Sequence, residues 1–102
     1  MIRIPSVTPG SFRQYLMTRR DRVYRYVVRE IGKAVEESLP SIQLFQISKS
    51  NDILELKEKN YIVILNAAMN FFVTKEMYED AAVCRDIIRQ INEDVTKGEE
   101  ND

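Results

Sequence analysis

The sequence predicts an α+β domain, mostly α, with a long N-terminal helix, a small β-hairpin and a C-terminal antiparallel helical hairpin. Three observations carry that prediction. Apolar residues recur at helical spacing over residues 11–38 and again over 60–95. Between those stretches lie two short runs rich in strand formers, parted by the polar cluster Ser48-Lys49-Ser50-Asn51-Asp52. And 102 residues with 44% hydrophobic content suffice for one core and not two.

Taken in order, residues 1–10 hold two of the three prolines and read as an extended arm. Ile2, Ile4 and Val7 could form a short edge strand there, limited by Pro5 and Pro9. Ser11, with Gln14 three residues on, has the pattern of a capping box and opens a helix over 11–38 that stops before Pro40. Gly32 lies inside it and predicts either a break or a close approach to a neighbour. Ile42 to Ile47 and Ile53 to Lys57 then read as the strands of a hairpin over 42–57. The rival reading starts a helix at Asn51 or Asp52, but the polar run Lys57-Glu58-Lys59-Asn60 interrupts helical spacing. Asn60 is expected to cap a helix from Tyr61 to about Val73, and Thr74 one from Lys75 to about Val95. Residues 96–102 are an acidic tail, expected to be flexible.

The net charge of -1 hides a polarised chain. Residues 1–33 carry eight basic and two acidic side chains, and the remainder seven basic and fourteen acidic, so +6 faces -7. Such a split suits an anionic partner at one end or head-to-tail association. On a helical wheel of the first helix, Phe12, Leu16, Val23, Val27, Ile31, Ala34 and Val35 share one side. Arg19, Arg22, Arg25, Arg29 and Lys33 take the opposite arc, with Tyr15 and Tyr26 projecting from it. Guanidinium groups neutralise phosphates and aromatic rings stack on bases, so this arc has the chemistry of a nucleic-acid footprint. It is equally the ordinary solvated face of an amphipathic helix, or a face that pairs with acidic residues of this or another protein.

In the C-terminal part, Met77, Ala81, Cys84, Ile88, Ile91 and Val95 recur at alternating steps of four and three, as do Tyr61, Leu65, Ala68 and Phe72. Two such seams pack as an antiparallel hairpin. The earlier helix also carries Ile62, Val63, Ile64, Ala67, Met69 and Phe71, more apolar surface than one seam uses, so a second subunit is expected to cover part of it. Tyr78-Glu79-Asp80-Ala81-Ala82-Val83-Cys84-Arg85-Asp86-Ile87-Ile88 resembles the UVR motif, whose core reads aromatic-E-x-A-A-x-x-R-D-x-I. That motif is shared by the repair proteins UvrB and UvrC and by some regulators of bacterial Clp proteases. Met69 matches the methionine on the motif's preceding helix, while Phe72 stands where the family has a small residue and Tyr78 where it has Phe. The resemblance covers residues 61–92 and implies a hairpin that associates with another hairpin, through Met69, Tyr78, Glu79, Ala82, Arg85 and Asp86. Ala81 and Ala82 permit close helix approach, and Arg85 has no acidic residue three or four positions away, so its partner is expected on another element or chain. Packing within the hairpin alone would also account for these residues.

Catalysis finds little support. The chain has no histidine and no Gly-rich phosphate loop. Its one cysteine, Cys84, falls in the apolar seam, and Glu79, Asp80 and Asp86 read as exposed. A lone cysteine suits a reducing, cytoplasmic compartment. Met1 to Pro5 lacks the apolar run of a leader, and no stretch is long enough to span a membrane. The expected function is therefore non-enzymatic. The chain reads as an interaction or adaptor domain that self-associates and docks on a larger protein, without cofactor or metal. The alternative is a small nucleic-acid-binding protein using the basic arc.

Overall fold

Ile2 and Ile4 flank Arg3 with the two-residue alternation of a strand that buries one face, and Ile2–Ile4 forms β1. The computed structural model describes residues 1–4, 9–47 and 52–100. β1 runs parallel to β2 (Ser41–Ile47), with Ile2 opposite Phe45 and Ile4 opposite Ile47. β2 pairs antiparallel with β3 (Ile53–Lys57), so the sheet order is β1-β2-β3. The expected hairpin is present, and its turn, residues 48–51, lies outside the described residues. The short edge strand that Ile2 and Ile4 suggested is present as β1. The chain enters the sheet at Ile2, and a helix has begun by Pro9; residues 5–8 lie outside the described residues. In the β2–β3 ladder Gln43 faces Glu55 and Phe45 faces Leu54, which leaves Leu44 as a bulge. The bulge resets the strand's alternation, and Leu44 and Phe45 are consecutive and both buried.

The long first helix is two helices, α1 (Pro9–Thr18) and α2 (Arg20–Glu36). It starts two residues before Ser11, at a proline that has no N–H to leave unsatisfied in a first turn. Its break is at Arg19, not Gly32. The Thr18 hydroxyl donates to the carbonyls of Gln14 (2.9 Å) and Tyr15 (3.3 Å), a back-bonding arrangement that bends helices. Arg19 N–H accordingly reaches only to Leu16 O, at 3.3 Å. Gly32 instead permits close packing: a Cβ there would lie 3.2 Å from Ile87 Cδ1.

α2 ends in a Schellman motif. Leu39 N–H donates to Ala34 O and Ser38 N–H to Val35 O, with Ser38 at φ 56°. The polar run Glu58–Asn60 is a 3-10 turn, tied back by Glu58 N–H to Pro40 O, and Asn60 makes no side-chain cap to the helix it precedes. α3 (Tyr61–Thr74) ends where the sequence suggested the next helix would begin. Thr74 is its last residue, with the hydroxyl bonded back to Asn70 O. A second Schellman motif follows, Met77 N–H to Phe72 O and Glu76 N–H to Val73 O, with Glu76 at φ 60°. α4 (Tyr78–Glu100) therefore starts later than expected, and its backbone stays helical through most of the segment read as a flexible tail.

α2 lies between the two other layers. On one side Tyr26 packs on Phe45 with ring centroids 5.6 Å apart and donates to Leu44 O at 2.8 Å. On the other, Tyr24 packs on Phe71 at 5.1 Å and Gly32 meets Ile87. One continuous core runs through Ile4, Val27, Ile31, Leu65, Phe72 and Cys84. The result is flat, 47 × 32 × 16 Å, with a Cα radius of gyration of 14.9 Å against about 13 Å for a compact chain of this length.

Candidate interaction surfaces

The exposed arc of α2 follows from its two packed sides. Arg22, Arg25, Arg29 and Lys33 keep to solvent, as their spacing implies. Two of them are engaged. Arg25 donates through Nε to Asp80 Oδ2 and pairs with it through Nη2, each at 3.2 Å, and Lys33 lies 3.9 Å from Glu30. Arg22 and Arg29 have no carboxylate partner among the described residues. Tyr26 is a correction: only 8% exposed, it belongs to the core. The sheet covers the flank from which it was expected to project, and Leu44 takes its hydroxyl. Burial first, then the charge of Glu30, raise its pKa above the ordinary tyrosine value. Tyr15 is half-buried, and the Arg19 guanidinium sits 4.5 Å above its ring. Neither ring is free to stack a base on both faces. The arc thus keeps two arginines without a carboxylate, of which Arg29 lies over the Tyr26 ring at 6.0 Å from its centroid, and no stacking platform on α2.

The hairpin of α3 and α4 has a covered and an open face. Tyr61, Leu65, Ala68 and Phe72 are all buried, as their spacing predicts. α2 covers Phe71 on α3 and contacts Asp80 and Ile87 on α4. At 100° per residue, Ile62, Met69 and Val73 on α3 and Tyr78, Arg85 and Arg89 on α4 fall on the opposite side of the hairpin. Ile62 and Met69 are half-buried, Val73 is 49% exposed and Tyr78 62%. Glu79 and Asp86 flank this face along α4, and Ala82 is half-buried beside it. The residues of the UVR-like motif are thereby divided. Ala81 and Cys84 pack within the chain, while Met69, Tyr78, Ala82 and Arg85 lie on or beside the open face. Within this chain Arg85 rests on its own neighbour Asp86, 3.3 Å away, with both side chains 60% exposed, a pair that water screens almost completely.

Cys84 is buried, and burial first, then the charge of Asp80, push its thiol up to about 11. At neutral pH it holds its proton, which removes the nucleophilic thiolate. No helix among the described residues is long and apolar enough to cross a membrane.

One feature escaped the sequence reading. Two adjoining cavities, of 640 and 450 Å³, lie where the α1–α2 elbow faces the end of α3, sharing Met17, Arg20, Phe71 and Lys75. Their lining comes from three helices and the link after α3, and the elbow that creates them depends on Thr18. The one local signal was a pair of apolar residues, Met17 and Phe71, that neither seam uses. Comparison with family models, with curated proteins and with solved structures finds no match for this chain.

Proposed function

We propose that the chain is a non-enzymatic interaction domain that acts through its UVR-like hairpin, self-associating hairpin to hairpin and docking on a larger protein through the same face. The observation that carries this reading is the open face itself. Val73 and Tyr78 stay exposed beside the half-buried Ile62 and Met69, although α2 occupies the other side of the same two helices. Its chemistry suits an interface: an aliphatic centre, an exposed tyrosine, and an arginine held only by a screened neighbour.

Light scattering and sedimentation across micromolar concentrations test the self-association. The wild type is expected to be a dimer or larger. Val73→Glu with Tyr78→Glu is expected to shift it to monomer with unchanged helical content, because both side chains are exposed. A wild type that stays monomeric at high concentration refutes the self-association. Capture of the same partner protein by wild type and double variant refutes docking through this face.

A further inference from the structure

The trough between the α1–α2 elbow and the end of α3 is independent of the hairpin's open face. Leu16, Met17, Val23, Tyr24, Phe71 and Met77 line its two cavities. Met17 is 49% exposed and the other five are half-buried. They form an apolar floor, the five half-buried ones packed against the core. Two of the six are methionines, whose unbranched thioethers adapt to varied side chains, a habit of grooves that receive helices.

The charges at the trough say what kind of segment fits. Arg20 and Lys75 line both cavities. Both are exposed, and neither has an ion-pair partner among the described residues. Asp21 lines the smaller cavity only, so the cations outnumber the acid. A basic segment would meet two uncompensated cations, and a neutral one would leave both unused. Together the cavities exceed what a single side chain fills, and a helix is the compact segment that sets apolar and acidic side chains on one side at once.

We infer that this trough is a docking groove for an acidic amphipathic helix of a partner protein, which lays apolar residues spaced i, i+4, i+7 on the Met17–Phe71 floor and sets carboxylates against Arg20 and Lys75. The adaptor then has two separate surfaces, the hairpin face and this groove, and can hold two chains at once.

Selection from a displayed library of helical peptides, random in both charge and apolar spacing, tests the inference on the intact protein. Recovered binders are expected to be net acidic with the i, i+4, i+7 apolar pattern. In a methyl-labelled sample they should perturb the signals of Met17 and Met77 and leave Val73 untouched. Arg20→Glu with Lys75→Glu, both exposed positions, is expected to weaken binding at least tenfold without loss of helical content. Val73→Glu with Tyr78→Glu is expected to leave peptide affinity unchanged, which separates this groove from the hairpin face. Four results overturn the proposal: no binders, binders without an acidic bias, perturbation centred on Val73, or equal affinity for the charge-reversed variant. A peptide of this chain's own residues 88–102 serves as a further arm. If it binds the groove more tightly than the selected peptides, the occupant is a second copy, and the assignment to a partner protein fails.

Discussion

Replacing Tyr26 with Phe isolates one hydroxyl whose role the structure reverses from base stacking to core construction. The hydroxyl donates to Leu44 O at 2.8 Å in a buried setting. Leu44 is the bulged residue, with no opposite number in β3. Phe keeps the ring, its 5.6 Å contact with Phe45 and its volume, so the change is confined to the hydroxyl's hydrogen bonds, the one to Leu44 O and the one from the backbone of Ile2. A buried bond of this kind contributes about 1 kcal/mol, and stranding the acceptor raises the cost to about 1–3 kcal/mol. For a chain of this length, 1 kcal/mol corresponds to about 4–8 °C in melting temperature. Tyr26→Phe is therefore expected to lower the midpoint by about 5–15 °C, with an unchanged denaturant slope, since the exposed area on unfolding is the same. Urea and thermal melts followed by circular dichroism supply both numbers. A midpoint within a degree of the wild type refutes the reasoning, because it places the hydroxyl in water and the basic arc regains its ring.

Glu76 sits at φ 60° in the Schellman motif that ends α3; Glu76→Gly is expected to stabilise the chain by about 1 kcal/mol, the cost of a left-handed non-glycine residue, and an unchanged or lowered urea midpoint counts against that. Cys84 is expected to react with thiol reagents only after denaturation. Its thiol rises from 9.0 to about 11 on folding, so the folded state holds the proton that the unfolded state releases first. The stabilisation is whole below pH 9 and is lost as pH climbs from about 9 to 11, by about 2 kcal/mol; a Cys84→Ala variant with the same alkaline loss refutes the assignment. Nucleic-acid probes are expected to bind weakly, with a log–log salt slope near about -2 set by Arg22 and Arg29. A slope of about -4 in electrophoretic shift assays would show that Arg25 and Lys33 leave their carboxylates to bind phosphate.

The parts of the fold legible in the sequence are those fixed by spacing within one element. Tyr61, Leu65, Ala68 and Phe72 had to share a side of any helix that contained them, and all four are buried. The hairpin strands stood out because Ser48 to Asp52 separates two runs of strand formers. What stayed hidden depends on contacts between elements. A wheel drawn through residues 11–38 assumes one continuous phase, and Thr18 breaks it by drawing on the carbonyls of Gln14 and Tyr15. It also assumes one buried side, whereas α2 is packed on two, which carries Tyr26 into the core. Ile87 lies off the seam of Ala81, Cys84 and Ile88, and is buried because Gly32 lets α2 approach it. The ends of α2 and α3 fall within two residues of where the spacing put them, but the start of α4 was misplaced by three because the αL position at Glu76 carries no glycine to announce the turn. The candidate surface was half legible. Surplus apolar residues on α3 signalled an open face, but Phe71 turned out to belong to α2's side and Val73 to solvent.

The placement of α2 between sheet and hairpin has a consequence for how the chain folds. β1 pairs with a strand some forty residues later, so it has no partner until β2 has emerged. α3 and α4 find theirs in each other but leave Phe71 and Ile87 bare until α2 arrives. Neither outer layer has a finished core without α2, and α2 alone is an amphipathic helix with two wet apolar flanks. On this arrangement the chain is expected to open as one unit. Its slowest-exchanging amides belong in the middle of α2, around Val27 and Ile31, and exchange there opens only with the whole molecule. The hairpin cannot then be excised as a portable module: cut away from α2, it would expose a second apolar side, and its affinity for other chains would no longer be that of the open face alone.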